Sequence, residues 1–145
     1  MKDFDRPLNE RGHKDAPMMA QRLLKKNIII DAFVSSTANR AFTTSKYFAE
    51  AYGVKEKAIV KIAELYHASA DTFYKVIEQL NNDWNTVALF SHNPGITEFV
   101  NELTTTSIDN MPTCGVFAVN IETDDWKKFN ISKKKFWFFD YPKAV

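Results

Sequence analysis

The sequence predicts an α/β domain of three layers, with a mostly parallel central sheet covered by helices on both faces. Three observations predict it. Helical and strand periods alternate along the chain, as crossover helices on a sheet require. Two polar clusters stand directly after short apolar runs: Ser35, Ser36, Arg40, Ala41 and Thr43 follow Asp31-Ala32-Phe33-Val34, and Ser91-His92-Asn93-Pro94-Gly95 follow Thr86-Val87-Ala88-Leu89-Phe90. Groups at the carboxyl ends of strands in an open α/β sheet converge on one crevice, where helix N-termini also direct free N–H groups. The alternation opens on a helix, and no strand ending in a nucleophile precedes Lys2, so a first strand is expected to be missing.

Taken in order, Ala16, Met19, Ala20, Leu23 and Leu24 follow helical spacing, with Asn9 as N-cap and Pro17 expected to kink or restart the helix. A strand at Ala32–Ser35 leads to a second helix that places Ala41, Phe42, Ser45, Phe48, Ala49 and Tyr52 on one side and stops at Gly53. A short strand near Ile59–Ile62 precedes a helix from about Ala70, with Phe73, Val76, Ile77 and Leu80 as its apolar face. The strand Val87–Phe90 and a helix carrying Ile96, Phe99, Val100 and Leu103 come next. The remainder reads as β: Val116–Ile121, a turn holding Asp124-Asp125-Trp126, and Phe136–Phe139 before Pro142, with Lys133-Lys134-Lys135 as a solvated turn.

A chain of 145 residues suits one domain spanning 1–145, burying about two-thirds of the surface that its unfolded form exposes. The net charge is +1 and the basic residues are scattered, which argues against a nucleic-acid partner. The aromatic residues Trp126, Phe129, Phe136, Trp137, Phe138 and Phe139 read as core and sheet packing, not a base-stacking platform, because basic residues do not interleave with them. No apolar run approaches the roughly 20 residues of a membrane span, so no membrane partner is expected. Cys114 is the only cysteine, which excludes an internal disulfide and fits a reducing compartment; a cytoplasmic monomer is expected.

Arg40 and His92 are the residues on which a function can rest. A guanidinium pairs bidentately with phosphoryl oxygens and stays charged at any working pH. An imidazole held at a strand end can donate to the same oxygens or neutralise developing charge. Either residue alone has an ordinary reading, Arg40 as an exposed ion-pair partner and His92 as a loop-bonded histidine; together they describe an anion pocket, most simply for phosphate. Thr43 and Thr44 read equally well as caps or surface residues. His13 and His67 read as structural or solvent-exposed, and Arg6 as a partner of Asp3 or Asp5 ahead of a guide for acidic substrates. Asn110 to Thr113 is expected to form one wall of the pocket.

The segments Asp5-Arg6-Pro7-Leu8-Asn9-Glu10-Arg11-Gly12 with Asp15-Ala16-Pro17, Ser35-Ser36 and Arg40-Ala41 with Thr43, Leu65-Tyr66 with Ala68, His92-Asn93-Pro94-Gly95, and Pro112-Thr113 together resemble a SixA-type phosphohistidine phosphatase of the histidine phosphatase superfamily. The resemblance spans nearly the whole chain. It implies a phosphoglycerate mutase-like fold lacking its first strand, and a phosphoryl site of two arginines and two histidines. Arg40 matches the second arginine and His92 the second histidine, with Asn93 beside them. The other pair, from an Arg-His-Gly or Arg-His-Ala motif that ends the first strand and includes the nucleophile, has no counterpart here. A wrongly assigned start, a trimmed chain and a degenerate homologue all account for that; the first two are favoured because the other pocket residues and helix faces are present.

The implied reaction is a two-step displacement through a phosphohistidine intermediate, with no metal and no cofactor. Glu64, after the short strand, is the one acid put forward for the leaving group, ahead of Asp71, Glu98 and Asp109. Its ordinary reading as a solvated strand-end carboxylate is the stronger one. The implied substrate is a phosphohistidine-bearing protein or a small phosphorylated molecule. The alternative from another class is a non-catalytic phosphate-binding or protein-interaction module that keeps the fold.

Overall fold

The computed structural model of the protein describes residues 1–144. Helix α1 (Glu10–Lys25) begins where Asn9 accepts the Gly12 N–H at 2.8 Å. It runs through Pro17 without restarting, contrary to the expected break. The carbonyl that Pro17 leaves without a donor belongs to His13, which is exposed, while Ala16, Met19 and Ala20 are fully buried. Water can therefore satisfy the freed carbonyl while the buried face holds the helix together.

Strand β1 (Ala32–Ser35) is buried along its whole length and alternates between two cores, as a strand covered on both faces must. Phe33 packs with α1 and with Phe48 and Ala49 of α2 (Asn39–Ala51); Val34 packs with Phe73, Val76 and Ile77 of α3 (Ala70–Glu78) and with Phe99 and Val100 of α4 (Gly95–Leu103). β1 pairs in parallel with the short β2 (Val60–Lys61) on one side and with β3 (Val87–Phe90) on the other, Val34 standing opposite Val60 and Leu89. The sheet order is β2-β1-β3.

A separate antiparallel pair follows: β4 (Val116–Ile121) with β5 (Lys134–Asp140), a register shift lying between Ala118 and Val119. β5 opens earlier than the sequence predicts. Lys134 and Lys135 are strand residues opposite Ile121 and Asn120, not a turn, and Phe136 and Trp137 are 38% and 47% exposed. Alternation along β5 thus gives Phe138 and Phe139 to the two cores and leaves part of the aromatic run in solvent. Arg22 of α1 clasps the end of β5, donating to Asp140 Oδ1 and to the carbonyls of Tyr141, Pro142 and Ala144 at 2.9–3.1 Å.

Between the two sheets the described residues leave a slot. β3 and β4 are not hydrogen-bonded to each other, and a cavity of about 650 Å³ lies between them, walled by Val87–Phe90 and Val116–Ile121 and open to both cores. It follows the length of β3, from Trp84 and Trp126 at one end to Arg40 and His92 at the other. Two facing strand edges with apolar walls are a configuration that folded proteins rarely leave uncovered.

Candidate active site

The slot ends at the carboxyl ends of β1 and β3, and the loops leaving those strands carry the two residues singled out in the sequence. Ser35 and Ser36 are fully buried. The Ser35 hydroxyl donates to the Ser36 carbonyl at 2.9 Å, and Ser36 Oγ accepts the Ala38 N–H at 3.2 Å, so this turn is set by its own side chains. Arg40 follows in the first turn of α2. From the other loop, His92 Nε2 lies 2.9 Å from Ser36 Oγ, so the β3 loop is joined to the β1 loop through the histidine itself.

Arg40 and His92 line the same space. Arg40 is 30% exposed. Burial, with the Arg40 charge second, lowers His92 to about 4. At neutral pH the imidazole is therefore neutral; where the Ser36 hydroxyl donates to Nε2, Nδ1 carries the N–H that a ligand can accept. A folded pKa below the unfolded value near 6.5 means that the unfolded state binds the proton more readily. Stability is accordingly expected to be full above about pH 6.5 and to decline as pH falls toward about 4. Chemical denaturation of the parent and of His92→Asn across that window checks it, the variant losing part of the decline.

Asp3 is the neighbour that sequence spacing did not reveal. Arg40 Nη1 donates to its carbonyl at 2.9 Å and Nη2 to its carboxylate at 3.3 Å, while the Tyr66 hydroxyl donates to the same carboxylate at 2.7 Å. The Tyr66 bond, followed by Arg40, holds the Asp3 carboxyl below its usual range. The Tyr66 ring meets His92 edge-on at 5.4 Å. Tyr66 stands in the Leu65-Tyr66 motif, which was a signal for it; Asp3, 37 residues from Arg40, had none.

The remaining candidates divide. Asn93 is bound to the far wall: its amide donates to the Met111 carbonyl at 2.9 Å and its oxygen accepts from Thr97, so its hydrogen bonds hold Asn110–Thr113 in place and none joins it to Arg40 or His92. Met111, Pro112 and Thr113 line the cavity, as expected of that wall. Glu64 is exposed on a 3-10 turn (Ala63–Leu65) outside the cavity lining, and among the described residues it makes no ion pair. Thr43 and Thr44 bond back to the carbonyls of Asn39 and Arg40, ordinary helix behaviour. His13 is exposed against the Tyr47 hydroxyl at 2.7 Å. Arg6 makes no ion pair within 4.0 Å among the described residues, with Asp3 or Asp5 included. Burial raises the Cys114 thiol to about 11, which leaves it unreactive.

The arrangement places an arginine fork, held by Asp3, and a neutral imidazole at one end of the slot, each beside the start of a helix. Comparison with known proteins gives it a relation. The histidine phosphatase superfamily (branch 1) matches residues 2–67, a stretch that takes in Asp3, Arg40 and Tyr66. A SixA candidate phosphohistidine phosphatase from Nakamurella multipartitia superposes with a TM-score of 0.81 at 22% identity, over 99% of this chain and 89% of its own. The chain has the fold of this SixA structure. The protein histidine phosphatase SixA solved with tungstate is similar over 97% of this chain and 87% of its own, with a TM-score of 0.80 at 22% identity. An uncharacterised protein of Mycobacterium leprae is 27% identical over 97% of this chain and 89% of its own length. No helix among the described residues is long and apolar enough to cross a membrane.

Proposed function

We propose that the protein is a phosphohistidine phosphatase, with Arg40 and His92 binding the phosphoryl group and a histidine nucleophile carried by a strand seated in the β3–β4 slot. The observation that carries this reading is the meeting of Arg40 and His92 at the mouth of a strand-shaped cavity. Two further features support it. The N-termini of α2 and α4, which follow the loops that carry Arg40 and His92, have no side-chain cap, whereas α1 and α3 are capped by Asn9 and Ser69. A relative of the same fold was solved with tungstate, a tetrahedral oxyanion.

In this reading the nucleophilic imidazole attacks phosphorus in line, and the bond from phosphorus to the substrate nitrogen breaks as that nitrogen takes a proton. Water then hydrolyses the phosphoenzyme, restoring the histidine and releasing orthophosphate. Arg40 and the His92 N–H stabilise the equatorial oxygens through both steps. A protonated imidazole leaves readily, so no dedicated acid is needed and Glu64 has no part. Arg40 is partly exposed at the end of the slot, which supports a phosphohistidine-bearing protein as substrate.

The test is release of orthophosphate from a phosphohistidine-bearing protein, in the presence of a chelator, by this chain extended with an apolar strand ending in Arg-His. Turnover supports the reading. A folded, extended protein that binds orthophosphate but never releases it from phosphohistidine points to the non-catalytic module instead.

A further inference from the structure

His67 adopts φ +60, the left-handed region, which a residue with a β-carbon enters only at a steric cost. Its side chain is exposed, so burial does not offset that cost. The backbone around it is held from two sides by the turn that carries His92. Ser91 Oγ donates to the Leu65 carbonyl at 2.6 Å, and the Ala68 carbonyl presses on Gly95 so closely that a β-carbon there would overlap it. The His67 ring lies tilted against Tyr66 at 3.9 Å and 44°, and Tyr66 in turn meets His92 edge-on and bonds the Asp3 carboxylate that Arg40 holds. A strained, solvent-facing imidazole is thus one ring away from the anion pair. Strain that the surroundings enforce on an exposed polar side chain is a mark of a functional position.

We propose that His67 is a third phosphoryl-contacting side chain, its ring N–H closing the solvent side of the pocket over a tetrahedral oxyanion held by Arg40 and His92. The inference rests on the phosphoryl-site reading above and extends it. Tyr66, the ring beside His67, is the link to the anion pair: Asp3 and Asp5 from the N-terminal turn and Arg40 from α2 act on its hydroxyl, and His92 from the β3–α4 turn meets its edge. Arg40 and His92 draw the anion in; His67 adds the one donor on the open side, where a leaving group departs.

Glycine tolerates φ +60, so His67→Gly removes the ring without disturbing the backbone and keeps or raises the melting temperature. Orthophosphate titration by calorimetry is expected to give about fivefold to tenfold weaker binding in His67→Gly, the loss of one hydrogen bond to a charged group. His67→Lys, which restores a donor, is expected to recover most of it. Orthophosphate binding equal to the parent in His67→Gly, with Arg40→Ala still weakened, overturns the role of His67 alone. A parent chain that shows no saturable orthophosphate binding overturns the phosphoryl-site reading, and this inference with it.

Discussion

Replacing Arg40 by alanine is expected to lower phosphohistidine turnover of the strand-extended protein by about 100-fold or more, as removal of a charge partner of the transferring phosphoryl group does. The loss falls mainly on kcat, because the guanidinium gains most from charge that shifts onto the oxygens during transfer. Folding should survive the change. Arg40 is partly exposed and its partner Asp3 more so, and an exposed ion pair of this kind contributes little to stability. Single-turnover release of phosphate, beside a melting curve for each protein, separates the two effects. Unchanged turnover in a folded Arg40→Ala variant removes this residue from the site.

Adding an apolar strand of about five residues ahead of the chain is expected to raise its melting temperature by roughly 10 °C. The reason is the slot. Val87–Phe90 and Val116–Ile121 face it, and both cores open into it. An inserted strand gains about 1.5–3 kcal/mol for each large apolar side chain buried. Ordering its backbone costs about 1–2 kcal/mol per residue, so the surplus is a few kcal/mol. Hydrogen exchange gives the location as well as the gain, because the amides of β3 and β4 that face the slot become protected while those of β2 do not change. A chain whose melting temperature and β3 exchange are unaffected by the extension would show that the slot is not a strand site.

Much of this architecture was legible in the residues. β1, β3 and β4 were predicted with the bounds they have, because each is a short apolar run ended by a polar cluster or turn. The helix faces followed from spacing alone, as Phe73, Val76 and Ile77 of α3 show. The misses share a cause: they depend on contacts distant in sequence. Pro17 reads as a break until the burial of Ala16, Met19 and Ala20 around it is known. Lys134 and Lys135 read as a turn until β4 is placed opposite them. Within the site, Arg40 and His92 were visible as polar residues after strands, whereas Asp3 and the Ser36–His92 bond appear only when the chain has folded. Asn93 was expected beside an anion because it follows His92; its hydrogen bonds instead hold the wall at Met111, a partner 18 residues away.

In the proposed site one guanidinium and one imidazole grip a single oxyanion at the end of the slot. Titration of the parent chain with tungstate, followed through the ring nitrogens of His92 by NMR, reads both partners at once. Saturable shifts at His92 are expected, with at least tenfold weaker binding in Arg40→Ala, the worth of one charged hydrogen-bonding partner. Tungstate that leaves the His92 ring unmoved, or binds Arg40→Ala as tightly as the parent, rules the shared site out.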